Sequence, residues 1–216
     1  MPAQCGLTFL WSLHNYGKWK LNAEAQRAGE PMSKGSKIER PATEKPVAEK
    51  PPACEPTTDE PVRHQRGGIY FEDFVIGRLY HHRLTRTVTQ MDNMLFSNMT
   101  LNPQPLHIDR HFCEHETEWG QPLMNSLFTL GLMIGISVND LTVGTTVANL
   151  GMTEVKFPHP LFEGDTVHCS TTIVAKRESR SRPGTGIVEF DHRAYNQDDR
   201  LVAQCRRQAL MRMRPR

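Results

Sequence analysis

The chain of 216 residues holds 26 lysines and arginines against 24 aspartates and glutamates, so its net charge at pH 7 is only +2. This net charge neither indicates nor excludes nucleic-acid binding, but no aromatic and basic residues interleave to form a stacking platform, so we do not expect a nucleic-acid-binding protein. The five cysteines are odd in number and form no Cys-x-x-Cys pair. We therefore expect neither a disulfide framework nor a zinc site, and a reducing, cytoplasmic location fits best.

The first 66 residues differ in composition from the rest of the chain. They hold eight of the fifteen prolines and almost no apolar periodicity. From Met32 onward proline, lysine and glutamate recur, and such a segment cannot offset its ordering entropy. We expect residues 1–66 to be a disordered extension, either a tether for a partner or a passive tail. Residues 1–31 resemble neither the proline-rich segment nor the globular domain in composition, which favours Met32 as the natural start. They carry no signal-peptide pattern.

Residues 67–216 are numerous enough to form one hydrophobic core. After Gly67 and Gly68, a strand-like run from Leu79 to Val88 partly alternates apolar and polar residues. Thr89 is a good N-cap for a short helix that continues through Phe96. A turn-rich stretch, residues 97–112, follows this helix.

A hydrophobic helix is predicted over Leu123–Asp140, because its apolar residues cover every face at helical spacing. Its polar interruptions and its length argue against a membrane span. We expect it to be buried on all sides, with Gly131 and Gly135 letting a sheet approach its backbone. Asn125 or Ser126 marks its beginning.

Four strand-like runs follow the hydrophobic helix. They are Thr145–Phe157, Asp165–Lys176, Gly186–Tyr195 and Leu201–Met213. A strand, helices and then four antiparallel strands around one buried helix is the element order of an α+β hot-dog fold. We predict a single hot-dog domain, in which an antiparallel sheet wraps around one long helix.

The segment Leu101–Asp109, LNPQPLHID, is the main candidate for chemistry. Pro103 and Pro105 fix two backbone φ angles and keep Asn102 and Gln104 extended or in turns. They present His107 from a stiff loop, and a histidine there is a candidate general acid or base near neutral pH. Most of the other histidines are expected to be structural or solvent-facing.

This segment resembles the hydratase motif Gly-Asp-x-Asn-Pro-Leu-His-x-Asp of MaoC-like dehydratases and R-specific enoyl-CoA hydratases. The resemblance spans Gly68 to Arg212. Three further segments are similar to the branch that contains mesaconyl-CoA hydratase (β-methylmalyl-CoA dehydratase). They are TEWGQPLMNSLFTLGLMIGISVND, GTTVANLGMTEVKFPHPLFEGD and KRESRSRPGTGIVEFDHRAYNQ.

The resemblance implies a hydro-lyase that reversibly hydrates a short-chain enoyl-CoA or a branched dicarboxylic acyl-CoA thioester. It implies no cofactor beyond the coenzyme A of the substrate. Two other functions fit the same fold, namely a non-catalytic acyl-CoA-binding module and a thioesterase, because a fold alone does not determine function.

The family's motif assigns roles to individual residues. His107 is the implied acid–base catalyst. The family's catalytic aspartate falls at Asn102, whose amide can hold a water by hydrogen bonds but cannot accept its proton. The family's asparagine falls at Gln104. The glycine whose N–H holds the thioester oxygen falls at Ser126, next to Asn125, where a histidine usually stands.

A basic cluster beside Gly184, formed by Arg177, Arg180 and Arg182, is a candidate site for the phosphates of coenzyme A. The alternative is a solvated basic hairpin.

His111 and His115 share one helix face, but no second ligand pair accompanies them, so we predict no metal site. A single hot-dog unit leaves sheet edges open, and we therefore expect a homodimer with sites between subunits.

Overall fold

The computed structural model describes residues 61–215, and the predicted extension lies outside them except for its last six residues. These last six residues, 61–66, contact the domain. The guanidinium of Arg63 donates to the backbone carbonyls of Gly67 and Asp140, and Arg63 forms an isolated bridge with Ile69. Arg63 and its contacts thus connect residues 61–66, which the sequence analysis assigned to the extension, with the domain.

The described residues form helices first and a sheet afterwards, apart from two short strands near the beginning. In chain order the elements are a 3₁₀ turn at Phe71–Asp73, β1 at Leu79–His81, β2 at Arg86–Thr87, α1 at Gln90–Met99, α2 at Pro105–Ile108, α3 at Arg110–Glu116, α4 at Ser126–Leu141, β3 at Thr146–Lys156, β4 at Thr166–Glu178, β5 at Thr185–Tyr195 and β6 at Leu201–Arg212. Among these helices, none is long and apolar enough to cross a membrane.

The strands form one antiparallel sheet in the order β1, β4, β5, β6, β3, with β2 added beside β4. Strands β4, β5 and β6 pair along nearly their whole length, and β5 turns into β6 through residues 196–200. The four predicted long strands are confirmed to within two residues at each end. The two edges of the main sheet are the three-residue β1 and the eleven-residue β3.

Helix α4 packs across β4, β5 and β6. The predicted beginning is confirmed, since the side-chain oxygen of Asn125 accepts the N–H of Leu127 at 3.0 Å as the N-cap. The buried residues follow one another at helical spacing along one face. They are Thr129, Met133, Ile136, Ser137 and Leu141.

The opposite face of α4 is open in the single protomer. Leu127 is 60% exposed, and a Cβ added at Gly131 or Gly135 would meet nothing within 4 Å. The prediction that α4 is buried on every side, with the sheet against its glycines, is therefore wrong for one protomer. One helix on one sheet covers only one helix face, so the glycine face is left free.

The structure also corrects two predictions in the first half of the domain. The run Leu79–Val88 is split into β1 and β2 because the chain leaves the strand at His82, whose side chain turns into the core. The turn-rich stretch contains two short helices, α2 and α3. The helix predicted after Thr89 is confirmed, and Thr89 forms a capping box with Asp92.

Two apolar clusters fill the core, one beside Met124 and Met133 and the other beside Leu141. A polar row of Thr171, His192 and Arg207 runs between them across β4, β5 and β6, and all three residues are buried. Arg207 stacks over the ring of Phe190, with its guanidinium carbon 5.0 Å from the ring centroid.

The hydrogen bonds of this row run in one direction. Arg207 Nε donates to His192 Nε2 at 3.1 Å, so the imidazole hydrogen of His192 is on Nδ1, which lies 2.8 Å from Thr171 Oγ1. The Thr171 hydroxyl then donates to His82 Nε2 at 2.7 Å. His82 Nδ1 lies 3.4 Å from the carboxylate of Asp140. The row therefore fixes both imidazoles as neutral tautomers, because each uses one nitrogen as an acceptor.

The polar row makes stability depend on pH. Burial and the charge of Arg207 hold the pKa of His192 well below its usual value of 6.5, and burial also lowers the pKa of His82. A lowered folded-state pKa means stability that is present above the unfolded pKa and lost as pH falls below it. We predict that the free energy of unfolding falls below pH 6.5, for His192 by up to about 1.4 kcal/mol per pH unit.

Urea unfolding at pH 7, 6 and 5 measures this effect. The variant His192→Gln should be less stable than the wild type at pH 7 but lose less stability between pH 7 and pH 5. An identical pH dependence in the variant and the wild type would contradict the assignment.

Candidate active site

His107 lies on the one-turn helix α2 and not on a loop, which corrects the sequence prediction. Pro105 occupies the first turn of α2, where its missing N–H costs nothing and its fixed φ suits a helix. Gln104 precedes it as an extended N-cap, as predicted. Pro105 therefore starts a helical turn, which the sequence analysis did not predict.

The ring of His107 is half-buried and has a defined hydrogen-bond partner. Its Nδ1 lies 2.8 Å from the backbone carbonyl of Leu123. A carbonyl only accepts hydrogen bonds, so Nδ1 carries a hydrogen, and in the neutral form of the ring the lone pair is on Nε2. This is the tautomer in which Nε2 is free to accept a proton.

A buried amide on α1, Asn93, joins the elements of the site. Its Nδ2 donates to the carbonyls of His107 at 2.8 Å and Leu123 at 3.1 Å. Its Oδ1 accepts the backbone N–H of Asn125 at 2.9 Å. Asn93 thereby connects the His107 turn with the chain that leads into α4.

Asn93 was missed in the sequence analysis, which identified only the N-cap and the extent of this helix. Its burial arises from the way α1 packs, and no pattern in the sequence of α1 marked it.

The N-terminus of α4 forms the other side of the site. The side chain of Asn125 is buried and engaged in capping, whereas Ser126 is exposed. Within residues 61–215, the backbone N–H of Ser126 has no hydrogen-bond acceptor. A free N–H at the positive end of a 16-residue helix is suited to an anionic oxygen.

Asn102 and Gln104 lie in the turn that leads to His107. The Oδ1 of Asn102 accepts the backbone N–H of Gln104 at 3.1 Å, and the N–H of Asn102 donates to the carbonyl of Ser97 at 2.8 Å. Among the described residues, the Nδ2 of Asn102 has no acceptor. Asn102 therefore braces the turn through its oxygen and keeps its amide N–H groups free, while Gln104 is exposed.

The basic cluster lies elsewhere in the protomer. Arg177 is exposed near the end of β4, and Arg180 and Arg182 are exposed in the connection to β5. On the same strand, Val167 belongs to the core cluster of Met124, next to the site. Ten strand residues span roughly 33 Å, so one protomer does not bring these arginines together with His107.

The paired histidines of α3 face each other as predicted, with the rings of His111 and His115 stacked at 4.1 Å between centroids. Within residues 61–215, no group of three histidine, cysteine, aspartate or glutamate side chains has the geometry of a metal site.

Comparison with known proteins identifies the family of this chain. Residues 73–194, more than half of the chain, match the family model of the MaoC like domain. The chain belongs to the MaoC-like domain family. The resemblance found in the hydratase motif is thereby confirmed.

Two curated relatives are similar to this chain. Mesaconyl-CoA hydratase from Cereibacter sphaeroides is 29% identical over 153 residues, which cover 68% of this chain and 42% of the relative. Beta-methylmalyl-CoA dehydratase from Chloroflexus aurantiacus is 27% identical over 153 residues, which cover 68% of this chain and 41% of the relative. The chain spans about two fifths of the length of these relatives.

Solved structures confirm the hot-dog fold. A monoamine oxidase regulatory protein from Archaeoglobus fulgius is 32% identical with a TM-score of 0.61, covering 68% of this chain and 97% of the other. A double-hotdog-fold protein from Mycobacterium tuberculosis is 24% identical with a TM-score of 0.63, covering 70% of this chain and 46% of the other.

The N-cap of α4 allows a direct test of how this side of the site is held. Replacing Asn125 by Ala removes the acceptor of the Leu127 N–H, and we predict a loss of about 1 kcal/mol in the free energy of unfolding. Asn125→Ser keeps a capping oxygen and should lose less. Ser126→Ala, at an exposed position, serves as the control and should change stability by less than about 0.5 kcal/mol. Urea unfolding gives all three values, and equal stabilities of the Ala and Ser variants at position 125 would exclude the capping role.

Proposed function

We propose that the protein is an acyl-CoA hydratase/dehydratase. It reversibly adds water to the conjugated thioester of a short-chain enoyl-CoA or a branched dicarboxylic acyl-CoA of the mesaconyl-CoA type. The observation that carries the proposal is an imidazole whose Nδ1 donates to a backbone carbonyl and whose Nε2 has no hydrogen bond among the described residues, linked through one buried amide to the open N-terminus of a helix. Membership of the MaoC-like family and the names of the two curated relatives support it.

The reaction needs two kinds of help. The oxygen of water bonds to the β-carbon, the double-bond electrons move toward the thioester oxygen to give an enolate, and the α-carbon then takes a proton. In the proposal, the Ser126 N–H, with Asn125 beside it, binds the enolate oxygen. A donor of this type stabilises the transition state by about 3 to 4 kcal/mol.

His107 carries the proton in the proposed mechanism. Its Nε2 removes a proton from the attacking water and returns one to the α-carbon. Asn102 orients the water through its free amide group but accepts no proton at neutral pH. His107 therefore performs both proton transfers. Gln104, exposed beside the His107 turn, is a polar contact for the substrate in this proposal. All steps are proton transfers and electron-pair shifts, so the proposed reaction requires no cofactor beyond the coenzyme A of the substrate.

The substrate phosphates need cations that one protomer does not bring to the site. We propose that Arg177, Arg180 and Arg182 serve the site from the second copy of a homodimer. Strand β3 is the proposed contact, because it is the long free edge of the sheet and exposes Leu150 and Val155. A long edge with exposed apolar residues favours pairing with another chain.

The variant His107→Gln tests the catalytic assignment. It removes the proton acceptor with little change in size, and we predict that turnover falls by about 10² to 10⁴. The assay follows the enoyl-thioester absorbance of crotonyl-CoA and mesaconyl-CoA, with thermal unfolding as the control for folding. Unchanged hydration by the variant would rule out His107 as the base. Release of free thiol would instead indicate a thioesterase, and binding without turnover by the wild type would indicate a non-catalytic module.

The proposed dimer edge has a matched control on the other edge of the same sheet. The double variant Leu150→Lys, Val155→Lys places charges on β3, and we predict that it sediments as a monomer where the wild type sediments as a dimer. Leu79 on β1 is 51% exposed, close to the 49% of Leu150, and Leu79→Lys should leave the dimer intact. A double variant that remains dimeric would argue against β3 as the interface.

A further inference from the structure

Helix α1 buries polar side chains and exposes apolar ones. Its buried residues are the polar Asn93 and Ser97, whereas Met91, Leu95 and Met99 are 63%, 53% and 83% exposed. A helix on a protein surface normally buries its apolar face. Burying an amide costs free energy unless its hydrogen bonds are satisfied. The hydrogen bonds of the buried side therefore explain why α1 packs with this face against the domain.

Both amide hydrogens and the amide oxygen of Asn93 form hydrogen bonds with backbone groups. An asparagine side chain offers two N–H donors and one carbonyl acceptor. The donors of Asn93 go to the carbonyls of His107 and Leu123, and the acceptor receives the N–H of Asn125. With 0% of its surface exposed, Asn93 does not contact solvent and holds only the chain around the site.

The carbonyl of Leu123 is shared by two donors. It accepts both the Nδ1–H of His107 and the Nδ2–H of Asn93. The direction in which this carbonyl points sets the position of the imidazole, and Asn93 helps to fix that direction. The other end of the same side chain fixes the residue that caps α4, immediately before Ser126.

We infer that Asn93 is a positioning residue that sets the spacing between the proton-carrying imidazole of His107 and the Ser126 N–H. It touches neither substrate nor reacting atoms and acts through Leu123 and Asn125. The inference rests on the proposed hydratase function and adds to it the residue that makes the acid–base group and the enolate-binding group one rigid unit.

The chain offers two controls. Gln90 also donates to the carbonyl of His107, at 3.2 Å, but has no hydrogen bond to Leu123 or Asn125. Asn196 is a buried amide of similar kind at the β5–β6 turn, where its Oδ1 accepts the backbone N–H groups of Asp198 and Arg200. Gln90 controls for the loss of one bond to the His107 turn, and Asn196 for the loss of a buried backbone-binding amide.

Kinetics of purified full-length variants test the inference on whichever enoyl-CoA the wild type hydrates. Misplacing reacting groups by about 1 Å costs on the order of 10² in rate, so Asn93→Ala should lower kcat by about that factor. KM should stay within about threefold, because the contacts that bind coenzyme A are untouched. Gln90→Ala should lower kcat by less than about tenfold, and Asn196→Ala should lower thermal stability with kcat within about twofold of the wild type.

The ¹⁵N spectrum of the imidazole provides a readout that does not depend on turnover. The resonances of His107, assigned by their absence in His107→Gln, should show a single Nδ1–H tautomer in the wild type and a mixture in Asn93→Ala. If Asn93→Ala does not fold, Asn93→Ser takes its place, because a hydroxyl keeps one donor and one acceptor.

A fall in kcat no larger than that of Asn196→Ala, or an Nε2–H tautomer in the wild type, overturns the positioning role. A wild type that hydrates no enoyl thioester overturns the proposed function instead. The tautomer measurement then still decides whether Asn93 holds the imidazole.

Discussion

The carbonyl oxygen of Leu123 is the contact on which the arrangement of the site depends. It lies just before the helix that fills the hot-dog sheet, and it receives hydrogen bonds from an imidazole and from a buried amide of α1. Because α4 is anchored by its apolar face in the core, the position of this carbonyl is inherited from packing. The fold therefore sets the tautomer of His107, and through it the direction in which the ring can accept a proton.

The same packing explains why the core tolerates a buried polar row. Arg207, His192 and Thr171 separate the cluster of Met133 from that of Leu141. The row ends at His82 beside Asp140, in the last turn of α4. A buried charge is costly unless it is hydrogen-bonded. The hydrogen bond to His192 and the stacking on Phe190 offset part of this cost, while Nη2 of Arg207 has no hydrogen-bond partner among the described residues. The row also ties the far end of α4 to the sheet, so both ends of the helix are held by polar contacts.

Periodicity and capping rules were sufficient for the larger elements. Alternation predicted β3 to β6, and Thr89 and Asn125 identified the beginnings of α1 and α4. The helical turn around His107 was not predictable from the same rules, because Pro103 and Pro105 were read as barriers to helix although proline at the first turn favours one. The open face of α4 was also missed. Apolar composition shows that a helix seeks burial, but it does not tell whether one protomer supplies all the cover.

Some residues of the candidate site could be proposed from the sequence, and others could not. The motif proposed His107 and Asn102, and the beginning of α4 proposed Ser126, because these residues are close in sequence to proline and helix-start signals. Asn93 lies outside the motif, and its importance arises only when α1 packs against residues 107, 123 and 125. Long-range hydrogen bonds to backbone carbonyls leave no trace in side-chain patterns, so sequence analysis identifies the chemical group more readily than its support.

The amide at position 102 bears on which substrates suit the site. A carboxylate there would repel a second carboxylate on the acyl group, by about 3 to 4 kcal/mol at 4 to 6 Å with an effective dielectric constant of 20. It would also oppose the negative charge that develops on the enolate oxygen. An amide removes both repulsions but leaves the water without a second base. Under the proposed function, the amide therefore leaves His107 as the proton carrier and places no repelling charge beside a dicarboxylic acyl group.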